Sequence, residues 1–246
     1  MKDYDILIIG GGMVGATLAR ALRGQGLRIA MVEAVQADAR AEPGYDDRAI
    51  ALAQGTRRIF DGLQLWDALA GEATPIHQIH VSDRGHFGFT RMSREEEGLS
   101  ALGYVVPARV IGRVLGDAVA ADEAVDMYCP ATLIDVDCGE EMASVSIEQE
   151  GVVTTLSARL IVAADGADSP VRKQLGIEAV AVDYRQTAIV TNITPQLPHN
   201  NIAYERFTDT GPLALLPMSD RRCAVVWTVQ TEQAGATMDL PDDEFL

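Results

Sequence analysis

Positive charge is scarce in this chain: 20 Lys and Arg stand against 36 Asp and Glu, a formal net charge of −16 over 246 residues. With no basic stripe to release counterions from a phosphate backbone, the composition argues against nucleic acid as a partner. A dianionic ligand has to be held locally, by helix ends and a few arginines, against the overall field. Cysteine is nearly absent as well. Cys129, Cys138 and Cys223 form no C-x-x-C pair and leave an odd number, which fits a reduced, cytoplasmic compartment with the thiols as ordinary core or strand residues. No metal-ligand pattern is found: His77, His80 and His86 lie close together, but at no common ligand spacing and without a cysteine or carboxylate cluster, so solvated strand histidines are expected. Arg20 and Arg23 interrupt the first apolar stretch before it reaches the length of a signal peptide or a bilayer span. Attachment to a membrane surface stays open. There is no internal repeat and no low-complexity tract. What remains is a globular composition, 48% apolar, long enough for one large domain or two modest ones.

Glycine, by contrast, is concentrated where it matters. Ile6-Leu7-Ile8-Ile9 runs into Gly10-Gly11-Gly12, and Val14, Leu18 and Leu22 follow at helical spacing, so a buried strand, a tight turn and a helix are expected. Gly10, Gly12 and Gly15 match G-x-G-x-x-G: the first allows the turn, the second lets a pyrophosphate approach the backbone, and the third brings helix close to strand. Met13 and Val14 open the helix whose N–H groups and positive dipole end face the phosphates. Glu33 ends a second apolar strand, residues 28–32, where an acidic side chain accepts both ribose hydroxyls and disfavours a 2′-phosphate. These features define a dinucleotide site and leave open whether FAD, NAD or another dinucleotide fills it.

Along the rest of the chain, residues 34–47 have no usable period and read as a loop. Arg48 stands between Asp46-Asp47 and the apolar run Ala49-Ile50-Ala51-Leu52, so a salt bridge at an element end and a contact to a cofactor are equally open. Ile59, Leu63, Trp66 and Ala70 suggest one helix over 56–71, with Trp66 as packing. Alternation over 76–89 with Asp83-Arg84-Gly85 suggests a hairpin. A helix over 108–121 has Val110, Ile111, Val114, Leu115 and Ala118 on its apolar face, with Arg109 and Arg113 opposite as candidates for an anion. Strand-like runs at 132–138, 143–149 and 152–156 read as an antiparallel meander.

A second buried strand follows in Arg159-Leu160-Ile161-Val162-Ala163-Ala164, ending at Asp165-Gly166. Ser169 is placed as N-cap, Pro170 as first helical residue and Gly176 as terminator. An aspartate at the end of a buried parallel strand lies on the ligand-binding edge of an α/β sheet, so Asp165 either caps a turn or meets a ribose or phosphate. Beyond Gly176, strands at 187–193, 202–207, 213–216 and 223–229 suggest a mostly antiparallel part. A new helix is expected to begin in 237–246. The fold class is therefore α/β: a Rossmann-like domain with a parallel sheet and inserted meander, plus a mostly antiparallel β domain. The division expected is 1–74 with 101–177 for the cofactor and 75–100 with 178–246 for a substrate.

Three stretches together carry a resemblance. The glycine motif with Glu33, the Asp46-Asp47-Arg48-Ala49-Ile50-Ala51-Leu52 run, and Ala164-Asp165-Gly166-Ala167-Asp168-Ser169-Pro170-Val171-Arg172 resemble the FAD-dependent aromatic hydroxylases of the p-hydroxybenzoate hydroxylase superfamily. His80-Val81-Ser82-Asp83-Arg84-Gly85, Glu205-Arg206-Phe207-Thr208 and Gly211-Pro212-Leu213-Ala214-Leu215-Leu216-Pro217-Met218 resemble its ubiquinone-biosynthesis branch. The resemblance implies that Gly10, Gly12, Gly15 and Glu33 hold the ADP half of FAD. It implies that Arg48 and Arg113 contact the cofactor, and that Asp165 and Gly166 lie where flavin and NADPH or NADH meet. It implies a prenylated phenol as substrate, hydroxylated through a C4a-hydroperoxyflavin, with residues 205–218 in the sheet that walls the substrate pocket. Such chemistry belongs to the cofactor and requires no Ser, Cys or metal nucleophile; no catalytic base is assigned. Peripheral contact with the inner membrane, or association with other ubiquinone-biosynthesis proteins, is compatible with such a substrate. The superfamily's third motif, a Gly-Asp pair before a proline-containing helix start, does not occur in this sequence, so the chain is expected to be the front part of a longer enzyme. An NAD-linked oxidoreductase and a non-catalytic subunit or fragment stand as alternatives.

Overall fold

The computed structural model describes residues 2–35 and 48–245. Asp46, Asp47 and most of the loop expected over 34–47 lie outside the described residues. In chain order the elements begin with β1 (Lys2–Ile9), α1 (Met13–Ala21), β2 (Ile29–Val32), β3 (Ala49–Ala53), α2 (Gln54–Gly62), α3 (Trp66–Ala70), β4 (Thr74–Ile76), β5 (Gln78–Asp83), β6 (Phe89–Ser93), β7 (Gly103–Pro107) and α4 (Ala108–Ala120). They continue with β8 (Val125–Tyr128), β9 (Thr132–Cys138), β10 (Ala143–Gln149), β11 (Val152–Ala163), α5 (Pro170–Gln174), β12 (Gln186–Ile193), β13 (Ile202–Thr208), β14 (Gly211–Pro217), β15 (Cys223–Gln230), α6 (Thr231–Met238) and α7 (Asp242–Phe245). The fold class is the expected α/β. Two compact units emerge, 1–43 with 111–180 and 44–110 with 181–246.

In the first unit one sheet runs β8-β2-β1-β11-β10-β9. The pairs β8·β2, β2·β1 and β1·β11 are parallel, and β11·β10 and β10·β9 are antiparallel. A parallel strand is covered on both faces and so reads as a continuous apolar run; Leu7, Ile8, Ala30 and Met31 are accordingly inaccessible. The expected meander strand at 152–156 and buried strand at 159–164 are one strand, β11. Its first part pairs with β10 through Ala143↔Ala158, and it pairs with β1 from Leu156 onward. The polar Ser157 and Arg159 interrupt the apolar pattern without breaking the strand, and Ser157 is buried within the sheet.

In the second unit a sheet runs β12-β15-β14-β13-β5-β6, and a small antiparallel sheet runs β3-β7-β4. The larger sheet is antiparallel except for the parallel pair β13·β5. Ile76, Val105, Ala203, Met218 and Ala224 form the core between them.

One helix expectation is corrected and another is supplemented. The helix expected over 56–71 is two, α2 and α3. Gln64 adopts φ +58°, its N–H donates to the Asp61 carbonyl at 2.9 Å, and Leu65 N–H donates to Phe60 at 2.8 Å. That is a Schellman stop with glutamine where glycine is usual, which hides it from a sequence pattern. The buried stripe is consequently Phe60, Leu65, Trp66 and Leu69, while Ile59 is exposed. Trp66 does pack, edge-on to Tyr104 at 4.7 Å. At the other end, the helix expected to begin in 237–246 is present as α7; the sequence reading missed α6, which begins at Thr231, and Pro241, which disfavours helix in the residue before it, separates the two. The α5 terminus is as expected: Ser169 Oγ accepts from Arg172 N–H at 3.0 Å, Pro170 opens the helix, and Gly176 has φ +64°.

Candidate cofactor site

The carboxyl ends of β1, β2 and β11 converge on the glycine turn. Gly10 N–H donates to the Val32 carbonyl at 2.8 Å, and Ala164 N–H donates to Ile9 at 2.7 Å. Gly10 adopts φ +104°, and a Cβ there would lie 2.3 Å from the Ala164 carbonyl oxygen. A Cβ on Gly15 would lie 1.9 Å from the Gly10 carbonyl oxygen, so that glycine sets how closely α1 approaches β1. Gly12 differs, because a Cβ there would meet nothing within 4 Å among the described residues. Two glycines therefore serve the protein's own packing, and the third leaves open space at the start of α1.

Gly12 is also the N-cap of α1. Among the described residues no side chain caps that terminus, and no acidic residue stands in its first turn. Met13 and Val14 are exposed there. The first N–H groups of α1 and its positive dipole end are thus presented, among the described residues, with no acidic side chain in that turn, the arrangement that binds phosphate.

Glu33 follows β2, held by its own N–H to Tyr128 at 2.9 Å and by Ala131 N–H donating to its carbonyl at 2.8 Å. Its Oε2 accepts from Gly11 N–H at 2.7 Å and its Oε1 from Val35 N–H at 2.9 Å. The carboxylate therefore braces the glycine turn. The Gly11 contact was not legible in the sequence, where only the spacing of Glu33 from the glycines could have pointed to it.

Asp165 stands beside the same turn, its backbone N 2.9 Å from where a Gly10 Cβ would be. Its Oδ2 accepts from Val171 N–H at 3.1 Å, so it does cap the start of α5, and Gly166 turns the chain away with φ +88°. Gly10, Gly12, Met13, Val14, Gly15, Glu33, Asp165 and Gly166 are thus gathered in one unit. Arg113 is on the exposed side of α4. Arg48 belongs to the other unit, directly before β3, where its carbonyl accepts from Ala108 N–H at 2.7 Å. Arg109 is ion-paired with Glu72 at 3.2 Å.

The three clustered histidines have separate surroundings. His80 stacks on Phe89 at 5.0 Å and accepts from Arg91 Nε at 3.2 Å. His86 meets Asp83 at 2.9 Å. Burial, then the nearby Arg94 charge, pushes the His77 pKa down.

A parallel sheet with a glycine turn at its carboxyl edge, an uncapped helix start and an acidic residue after the second strand defines a dinucleotide-binding α/β protein. The chain belongs to the FAD binding domain family, which matches residues 3–245. It is 35% identical to an uncharacterized protein of Synechocystis sp. over 245 residues, covering 100% of this chain and 58% of that protein. It is 34% identical to the ubiquinone hydroxylase UbiL of Rhodospirillum rubrum over 250 residues, covering 99% and 56%. Among solved structures, p-nitrophenol 4-monooxygenase PnpA of Pseudomonas putida superposes with a TM-score of 0.79 at 16% identity, over 99% of this chain and 60% of that one; this likeness shows the fold alone. The chain spans somewhat more than half the length of the curated relatives it matches.

Proposed function

We propose that this chain is the FAD-binding part of a flavin monooxygenase that hydroxylates a prenylated phenol in ubiquinone biosynthesis, with NADH or NADPH as reductant. One oxygen atom of O2 enters the ring and the other leaves as water. The observation that carries this reading is the meeting of the glycine turn, Glu33 and the Asp165-Gly166 turn at one sheet edge, in a chain 34% identical to a ubiquinone hydroxylase. The open space at Gly12 and the acid-free start of α1 support FAD. Backbone N–H groups from Gly12 to Gly15 hold its pyrophosphate, and Glu33 accepts from its ribose. Arg113, in the same unit, offsets part of its negative charge. Asp165 and Gly166 border the place where flavin and nicotinamide meet.

When bound, the flavin supplies hydride acceptance and oxygen activation. The polypeptide's tasks are to orient the ring and exclude water. In functional terms the cofactor domain is 1–74 with 101–177, and the substrate sheet is 75–100 with 178–246. Among ubiquinone hydroxylases, the residues at 80–85 and 205–218 point toward a 2-octaprenyl-6-methoxyphenol hydroxylase. Among the described residues no helix is long and apolar enough to cross a membrane, and the prenyl substrate is met by peripheral contact with the bilayer.

The test is fluorescence titration of this chain, and of the whole gene product containing it, with FAD and with NAD, followed by NAD(P)H and O2 consumption with a prenylated phenol. FAD binding with phenol-dependent oxygen uptake by the gene product is expected. A folded gene product that stays colourless after FAD reconstitution refutes the proposal, and binding of NAD alone establishes the NAD-linked alternative.

A further inference from the structure

Three of the chain's five phenylalanines gather at one end of the larger sheet. There β5 turns into β6 with Ser82 opposite Phe89, and β13 turns into β14 with Thr208 opposite Gly211. β12 begins at the same end, Gln186 opposite Gln230, and the Gln186 side-chain amide donates to the Thr210 carbonyl at 3.0 Å. Phe87, in the β5–β6 turn, is 110% exposed and Phe89 61%. Phe207, opposite Asp83, is exposed as well, as are Val182 and Tyr184 just before β12.

We propose that this end of the sheet rests on a lipid bilayer, with Phe87 and Phe89 lying in the boundary between headgroups and acyl chains. The proposal rests on the prenylated-substrate reading above, since such a substrate is dissolved in the bilayer and the protein has to meet it there. The chemistry of the patch favours lipid over a protein partner. Its rings are interleaved with basic heads: Arg91 covers the Phe89 ring at 4.7 Å, and Arg84 and His86 flank Phe87. Aromatic rings at headgroup depth beside basic side chains are the pattern of an interfacial anchor.

Charge agrees with this placement. The chain as a whole carries −16 and is repelled by an anionic surface, yet three aspartates at this end are engaged. Asp83 contacts His86 at 2.9 Å, Asp209 contacts Arg84 at 3.4 Å, and Asp183 accepts from Arg185 N–H at 2.7 Å.

The test is sedimentation of this chain with vesicles of phosphatidylethanolamine and phosphatidylglycerol. The Phe87→Ser, Phe89→Ser double variant should lower the partition coefficient about tenfold or more, since two ring burials are lost. Its circular dichroism should be unchanged. Independently, Phe87→Trp should show blue-shifted emission on vesicle addition, and quenching by lipids brominated on their acyl chains, against the background of Trp66 and Trp227. Wild-type protein that stays in the supernatant, a double variant that partitions equally, or emission of the Phe87→Trp variant that is indifferent to lipid each overturns the proposal. So does lipid-independent self-association that the double variant abolishes. FAD titration of the whole gene product separates the two readings: lipid binding lost in the double variant while the folded wild-type gene product binds no FAD refutes the proposed function and leaves the membrane surface standing.

Discussion

Replacing Gly10 by alanine should damage the fold, and replacing Gly12 by alanine should damage only the site. At Gly10 the methyl group falls 2.3 Å from the Ala164 carbonyl oxygen and 2.6 Å from its carbon, on a residue with φ +104°. A backbone conformation of that kind costs an alanine about 1–3 kcal/mol. Forcing β1 and β11 apart to admit the methyl costs about 1–3 kcal/mol more. The sum, about 2–6 kcal/mol, is a large share of the roughly 5–15 kcal/mol that holds a domain folded, and corresponds to a fall in Tm of about 4–24 °C at about 2–4 °C per kcal/mol. At Gly12 the methyl meets nothing within 4 Å and the backbone has an ordinary φ of −68°. Stability should change by only about 0.5–1 kcal/mol, the difference between glycine and alanine at an N-cap. FAD affinity should nonetheless drop about tenfold or more, because the methyl occupies the space through which a pyrophosphate reaches the helix N–H groups. Thermal unfolding of the ligand-free proteins and flavin fluorescence titration measure the two quantities separately. Equal Tm values for Gly10→Ala and wild type, or undiminished FAD affinity in Gly12→Ala, would refute the division of labour among the glycines.

Two further expectations concern pH. Tyr4 is buried; its hydroxyl donates to Asp126 Oδ2 at 2.6 Å and lies 2.8 Å from the Tyr128 hydroxyl, and burial together with these bonds raises its pKa above the ordinary 10.0. The folded chain keeps this proton after the unfolded chain has lost it, so the stability it contributes is intact below pH 10.0 and declines above it. Tyr4→Phe should cost about 1–2 kcal/mol at neutral pH and flatten the alkaline limb in urea melts; parallel limbs would contradict the assignment. His77 has its pKa lowered from 6.5 by burial and by Arg94. The unfolded chain takes up a proton that the folded chain resists, so stability present above pH 6.5 is lost as the pH falls through the lowered value. His77→Gln should reduce the drop in Tm between neutral and mildly acidic buffer, and an unchanged drop would place the acid sensitivity elsewhere.

The local features were legible because short-range chemistry dictates them. Three glycines after four apolar residues, a serine and proline ahead of α5 and alternation along the β strands each correspond to an element found in place. Where sequence reading erred, a tertiary partner or an unusual residue had changed the outcome. Gln64 stopped a helix in a conformation usually given to glycine. Ser157 and Arg159 passed through a strand without breaking it, because β11 has β10 beside its first part and β1 beside its second.

By itself, then, the sequence determined the α/β class, the glycine turn and the acidic residue that follows the second strand, since strand, turn and cap preferences are written in neighbouring residues. The division of labour among Gly10, Gly12 and Gly15 was also expected from the motif; only the tertiary structure decided which atoms enforce it, the Ala164 carbonyl against Gly10 and the Gly10 carbonyl against Gly15, and that Glu33 braces the turn through Gly11. It also joined the meander to the parallel sheet as one strand. Those outcomes depend on which backbone lies within a few ångströms of a given Cβ or carboxylate, and that is set by how separate elements come together, Ala164 against Gly10 and Glu33 against Gly11 among them.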